Sequence, residues 1–466
     1  MDMSKEIYIN STLAFCRECN TTELARIVSR DNVVFMERMC PVCGTKSTKI
    51  CGDYNWYRER MSIYSEIPRK NKTKESKEGC PKDCGLCQWH SNSIILPVFS
   101  ITNDCNLDCP KCFTYNRKDF KYYKSIDETK RIINEIVKQS GGVQLINLTG
   151  GEPTLHPQLF EILDICKTEG IDRITMNTNG IRIANDRGFT EKIKQSGVQC
   201  ILSLDTLNSE MSKIIYGIDI IDKKLKALEY FEELNIPVTI LSVAIKNHNE
   251  KDIREIAQTY LKKEFVKSMT IQNMTFTGYN GSKFEPREHI TIDEVEEFLS
   301  ESDSFCNEDF FPMASYHPLC YSVAYYFSKD GVLIPLTKIL SKENLINMTS
   351  SSYLINPKQD FSREFLNGIN ELWAKNGDEV MIHALKSMVK ELYPADREVS
   401  IKERQEYFER YFKMIYIHPH MDDDNFDIDR VSRCGDIVPD EEGNMIPACS
   451  YNLLYRQKDS RYWIEK

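Results

Sequence analysis

No uninterrupted apolar stretch in this 466-residue chain approaches the roughly 18 residues that a membrane span requires; the run Ile94–Phe99 is far too short. An excess of basic charge is lacking too. The formal net charge of −10 excludes a general nucleic-acid binder, whose footprint would be basic. The opening residues Met-Asp-Met-Ser-Lys-Glu carry neither the charged nor the apolar region of a signal peptide, so the expected location is cytoplasmic. There is no fixed-period repeat and no low-complexity tract. With 41% hydrophobic and 28% charged residues, a sizeable core is expected, in one large domain with attachments or in two to three modest ones.

Cysteine, by contrast, is plentiful: seventeen in all. A reducing compartment disfavours structural disulfides. Ten of the seventeen fall in tight groups, Cys16/Cys19, Cys40/Cys43, Cys80/Cys84/Cys87 and Cys105/Cys109/Cys112. Close spacing lets several thiolates converge on one metal centre, so metal binding is the expected role. Cys16-x-x-Cys19 and Cys40-x-x-Cys43 are two knuckles that together predict a four-sulfur site of rubredoxin-like type, holding zinc or a single iron. Cys166 in an apolar helical stretch and Cys200 in a strand-like run are expected in the core.

Composition divides the chain into residues 1–67 with the knuckles, a linker over 68–93, a region 94–280, and a remainder 281–466 richer in helical periodicity, above all Phe361–Ile415. The linker is basic at Arg69, Lys70, Lys72, Lys74 and Lys77; it is expected to be solvated, with contact to anionic lipid headgroups as the sharper reading. In 94–280, strand-like runs at Leu96–Thr102, Gln144–Thr149, Arg173–Asn177, Gln199–Leu204, Val238–Ala244 and Met269–Phe276 alternate with helix-like stretches. Such alternation predicts βαβ units and an α/β fold built on a parallel sheet, and six strands fit an open (β/α)6 partial TIM barrel. Chemistry in these sheets sits at the carboxyl ends of strands.

The loop after the first of those strands reads Cys105-Asn-Leu-Asp-Cys109-Pro-Lys-Cys112. Three thiolates from one loop can hold three irons of a cubane and leave the fourth open to a chelating substrate. The loop resembles the CxxxCxxC signature of the radical SAM superfamily, and Gly150-Gly151-Glu152-Pro153 resembles its SAM-binding turn. The resemblance implies a catalytic 4Fe–4S cluster on Cys105, Cys109 and Cys112. It further implies SAM contacts from Gly150, Gly151, Glu152 and Pro153, with Glu152 near the methionyl ammonium, and from Asn179, Ser203 and Asp205. Where the superfamily usually has an aromatic residue before the third cysteine, this chain has Lys111, and Phe113 follows. The motif Cys80-Pro-Lys-Asp-Cys84-Gly-Leu-Cys87 has the same spacing but precedes the first strand, so it is assigned to an auxiliary cluster.

The knuckles, the Cys80–Cys87 motif, Phe311-Pro312, His317-Pro318-x-Cys320 and the segment from Met421 through Arg430, Cys434 and Cys449 to Asn452 resemble a narrower family, the archaeal tetraether lipid synthases and their bacterial relatives. That resemblance implies one mononuclear Fe or Zn, the SAM cluster and one or two auxiliary 4Fe–4S clusters, with Cys320, Cys434 and Cys449 as ligands of a C-terminal one. Relatives often place a further cysteine where this chain has Ser91–Ile95; an auxiliary cluster is then absent, or completed by Cys51, Cys306 or another residue. The implied reaction is reductive cleavage of SAM to a 5′-deoxyadenosyl radical that attacks an unactivated C–H bond, joining carbons of lipid alkyl chains. The alternatives are methylation or another modification of a small-molecule or peptidic substrate, and a metal-stabilised interaction protein without catalysis. An electron donor such as a flavodoxin or ferredoxin is the implied partner, with no nucleic acid and no transmembrane span.

Overall fold

A computed structural model describes residues 6–63, 74–114, 120–329, 331–349, 359–374, 379–392, 394, 396–397, 399–400, 403 and 410–462. Arg69, Lys70 and Lys72 of the basic linker lie outside them.

The N-terminal unit is a meander of four antiparallel strands, β1 (Ile7–Cys16), β2 (Thr21–Arg30), β3 (Val33–Cys40) and β4 (Gly44–Cys51), in that spatial order. The short turns after β1 and between β3 and β4 carry the two Cys-x-x-Cys knuckles, so pairing of the strands brings the knuckles to one end. The helix Tyr54–Ser62 follows, its first turn capped by Asp53, which accepts from the backbone N–H groups of Asn55 and Trp56. Buried Arg60 pairs with buried Glu296 at 2.7 Å, and Thr12 donates to Asp427 at 2.7 Å, fixing this unit to the rest of the chain.

The six expected barrel strands are present as β5 (Leu96–Thr102), β6 (Ile146–Gly150), β7 (Ile174–Thr178), β8 (Gln199–Ser203), β9 (Val238–Ala244) and β10 (Val266–Asn273), neighbours in sequence order and parallel throughout. β-Branched and apolar residues on their outer faces, with those of the covering helices, form the main core, where Cys166 and Cys200 are fully buried. Helix Ile126–Ser140 shows why the crossovers start and stop where they do. Ser125 caps its N-terminus, and Gly141, at φ 73°, ends it in the left-handed region.

The remainder of the chain holds helices, Ile292–Ser300, Gln359–Ala374 and Glu379–Leu392 among them, but it also supplies strands that the sequence pattern does not show. β11 (Phe311–Pro312), β12 (Ser322–Lys329), β13 (Val332–Pro335), β14 (Phe412–Ile417), β15 (Asp436–Pro439) and β16 (Met445–Pro447) all join the barrel sheet, whose order is β11-β12-β14-β10-β9-β8-β7-β6-β5-β15-β16, with β13 on β12. β14 is parallel to β10 and β15 is parallel to β5, so the C-terminal region extends the parallel sheet at both edges. Phe412–Ile417, expected within a helical stretch, is buried along its whole length between β10 and β12. Pairing on both sides overrides its local pattern. No helix among the described residues is long and apolar enough to cross a membrane.

Candidate metal centres and active site

The loop that leaves β5 carries Cys105, Cys109 and Cys112 at the carboxyl end of the parallel strands. Its last turn is held by the Cys112 N–H donating to the Cys109 carbonyl at 3.0 Å, and by Gly281 N–H donating to the Cys112 carbonyl at 2.8 Å. Close packing makes small residues obligatory here. A Cβ on Gly278, which has φ +83°, would stand 2.3 Å from the Phe113 carbonyl carbon. Burial pushes the Cys105 and Cys109 thiols up, the latter to about 12. Iron would reverse this, since a coordinating thiol is held deprotonated.

The glycine turn meets this loop directly. Gly151 N–H donates to the Thr102 carbonyl at 2.8 Å and Glu152 N–H to that of Asp104 at 2.7 Å. A Cβ on Gly150 or Gly151 would come within 2.1 and 2.2 Å of those same carbonyl oxygens. Both glycines therefore allow the end of β6 to press against the cluster loop. Glu152 is buried, and its carboxylate accepts from Thr154 Oγ1 at 2.6 Å, Thr178 Oγ1 at 2.8 Å and Asn179 N–H at 2.7 Å. The side chain thus ties the turn to the end of β7. Glu152→Gln would set an amide NH2 among these donors; at a cost of about 1–3 kcal/mol, we expect the thermal midpoint to fall by a few degrees. An unchanged midpoint would free the carboxylate for a ligand.

Asn179, Ser203 and Asp205 converge beside the loop, the first two engaged by groups the sequence pattern does not single out. Asn179 Nδ2 donates to Asn106 of the cluster loop at 2.7 Å. Fully buried Lys224 donates to the Ser203 carbonyl and, at 3.1 Å, to its hydroxyl. Lys111 pairs with buried Asp205. The Tyr216 ring carries both ammonium groups, Lys224 at 4.3 Å and Lys111 at 5.2 Å from its centroid. Burial lowers Lys224 to about 8, opposed by the charge of Asp205. Lys111 fills the place of the usual aromatic residue as a cation anchored on Asp205.

Four cysteines of the N-terminal unit offer the tightest ligand set. The sulfurs of Cys16, Cys19, Cys40 and Cys43 all lie within 4.8 Å of one another, with Cys19 and Cys40 at 3.4 Å. A tetrahedral metal with bonds of about 2.3 Å needs sulfurs about 3.8 Å apart, so the set fits one ion. A hydrogen bond with Thr21 lowers the Cys19 thiol to about 7, while burial raises those of Cys16 and Cys43. We expect one metal per chain, lost in Cys19→Ser plus Cys40→Ser; anomalous scattering across the zinc and iron edges identifies it, and an unaltered signal in that variant would remove the assignment.

Among the described residues the other cysteine groups do not gather at single-ion spacing. Cys80 and Cys84 pack against the C-terminal segment: Cys84 lies with Val438, Ile446, Ala448 and Tyr451, and its N–H donates to Tyr455 Oη at 2.8 Å. Cys320, Cys434 and Cys449 line one small pocket together with His420 and Arg430. The buried Arg430 Nε has no partner among the described residues, while Nη2 donates to the Leu319 carbonyl at 2.9 Å. A buried guanidinium with an unpartnered Nε beside three thiols fits an anionic iron–sulfur cluster. Cys51 instead sits in the core of the N-terminal unit, and Cys306 is exposed.

The C-terminal pocket shares Tyr321, His418, His420, Asp436 and Ala448 with a cavity of about 140 Å³ that occupies the barrel bore. Amides and hydroxyls of Asn147, Thr175, Asn177, Gln199, Thr239 and Gln272 face it, alongside Leu96, Val98, Ile201 and Met414. Most of the polar groups satisfy one another: Gln199 Nε2 donates to Thr239 Oγ1 at 2.8 Å, which meets Ser268 Oγ at 2.7 Å. Asn177 Oδ1 is buried and has no partner among the described residues. Its position at the end of a predicted strand was legible; that it faces the bore depends on register, which is not.

Residues 99–260 match the sequence model of the Radical SAM superfamily, and residues 8–52 match that of the HMPTM N-terminal zinc ribbon domain. A protein of Methanocaldococcus jannaschii named 7,8-dihydro-6-hydroxymethylpterin dimethyltransferase is 26% identical over 96% of this chain and 94% of its own length. A probable GTP 3′,8-cyclase of Pyrococcus horikoshii is 31% identical over 33% of this chain; the aligned part spans about half of the cyclase, 48%. Among solved structures, Streptococcus suis SuiB bound to S-adenosylmethionine is similar at 25% identity and a TM-score of 0.34, over 40% of this chain and 41% of that one. The three-cysteine loop at the carboxyl end of β5, the glycine turn pressed against it and the superfamily match over the same strands agree: this chain is an enzyme with a radical SAM domain over residues 99–260.

Proposed function

We propose that this enzyme modifies a small polar heterocycle, by methylation or another change at an unactivated C–H position, rather than joining lipid alkyl chains. The observation that carries the reading is the bore. Asn177 presents a buried acceptor without a partner, in a wall of amides and hydroxyls contributed by successive strands. A methylene chain would leave the Asn177 acceptor desolvated and unpaired, whereas an N–H or O–H edge of a heterocycle would satisfy it. The name of the M. jannaschii relative, a pterin dimethyltransferase, points the same way.

In this reading Cys105, Cys109 and Cys112 hold the catalytic 4Fe–4S cluster, Cys16, Cys19, Cys40 and Cys43 hold zinc, and the Cys80 and Cys320 groups hold auxiliary clusters. Bound at the β5 loop, the catalytic cluster and SAM would supply radical chemistry, with the electron coming from a donor of the flavodoxin or ferredoxin class. The chain's own part is positioning. Gly150 and Gly151 keep the β6 turn against the cluster loop, Asn179 braces Asn106, and Lys111 with Asp205 closes the adjoining side. Barrel amides orient the substrate, and the C-terminal segment excludes water from the bore. Anaerobic incubation of reduced, reconstituted enzyme with SAM and either polar or lipid extracts, read by mass spectrometry, tests this. A modified polar heterocycle is expected. New coupling of alkyl chains with the polar fraction unchanged would overturn it.

A further inference from the structure

His420 is absent from every cysteine motif, yet it lies where the C-terminal pocket meets the bore. Nδ1 stands 3.7 Å from Cys449 Sγ, and Nε2 stands 3.4 Å from the side-chain amide nitrogen of Gln272 on β10. An amide nitrogen is only a donor, so Nε2 is the acceptor of that pair and the ring proton resides on Nδ1. Nδ1–H therefore points at the Cys449 sulfur. Two ligands of separate irons in a cubane stand farther apart than 3.7 Å, so the geometry is that of a hydrogen bond to a ligating thiolate, not of a ligand. The ring also packs on His418, centroids 4.6 Å apart, and on Phe113 at 5.6 Å, the residue that directly follows Cys112.

We propose that His420 is a positioning residue that donates Nδ1–H to Cys449 and thereby raises the reduction potential of the C-terminal cluster, with its proton placed by Gln272 from the substrate bore. This rests on the reading that Cys320, Cys434 and Cys449 hold a cluster. A hydrogen bond to a cluster sulfur stabilises the more negative, reduced state. Because Gln272 lines the bore, an occupant that engages its amide reaches the cluster through one imidazole.

The test is an EPR-monitored redox titration of the reconstituted holoenzyme, with iron content measured in parallel. In His420→Phe the C-terminal cluster should titrate at a lower potential than in the unmodified enzyme, while the SAM cluster holds its potential. His420→Asn, whose Nδ2–H falls near the place of Nδ1–H, should recover most of the difference. Equal potentials in His420→Phe and the unmodified enzyme would overturn the proposal, as would loss of a cluster's iron in both variants, which would make His420 a ligand. Failure of the underlying reading looks different: the unmodified enzyme would show no cluster signal that Cys434→Ala plus Cys449→Ala removes.

Discussion

Replacing Cys105, Cys109 and Cys112 together with alanine is expected to abolish formation of 5′-deoxyadenosine and to remove about four irons per chain, the complement of one 4Fe–4S cluster. The loss should be complete rather than graded. In the proposed reading the three thiols are the cluster's ligands, and the β5 loop that carries them is anchored independently of them, by Gly281 N–H on the Cys112 carbonyl and Asn280 Nδ2 on Asp108 at 2.8 Å. The barrel should thus survive the substitution and the remaining centres should keep their iron. Quantifying 5′-deoxyadenosine under anaerobic reduction, with iron analysis on the same sample, checks both halves. Retained cleavage would transfer the catalytic role to the Cys80–Cys87 motif, against its position at the C-terminal segment.

Cys434→Ala plus Cys449→Ala is expected to remove a second set of about four irons while SAM is still cleaved without product. The two cysteines stand on either side of β15 and β16, and Cys320 reaches them from the turn before β12. Their cluster would pin the C-terminal segment to the bore, yet it touches neither the glycine turn nor Cys105–Cys112. Cleavage and substrate modification should therefore separate. Product and 5′-deoxyadenosine measured together test this; unchanged iron would return both cysteines to ordinary apolar packing.

The catalytic half of this molecule was legible because its signals are local. Leu96–Thr102 and Val238–Ala244 fall where their alternation places them, and the cysteine loop and glycine turn follow their strands in order. Glu152 shows the limit. The resemblance implies a ligand contact for it, but the donors that hold its carboxylate, Thr154, Thr178 and the Asn179 N–H, carry no such signal, and only the fold brings the last two near. β14 and β15 were hidden for a related reason. Asp436–Pro439 is too short to declare itself, and it becomes a strand because Leu96 and Pro97 offer it an edge. His420 carries no motif at all, and Arg430 falls in a matched segment without a role of its own; only the convergence of three distant cysteines gives them meaning.

The two outermost parallel strands have a consequence for biosynthesis. β5 emerges from the ribosome early, but the partner on its outer side, β15, follows several hundred residues later, and β14, the partner of β10, is nearly as late. At about 5–20 residues per second the nascent sheet would wait some tens of seconds with two open edges, each a template for pairing with another chain. Pairings so distant in sequence are also slow to find one another. The yield of correctly assembled enzyme should thus depend on how long those edges remain uncovered, and extra holding chaperones should raise the soluble fraction more than extra iron or sulfide does.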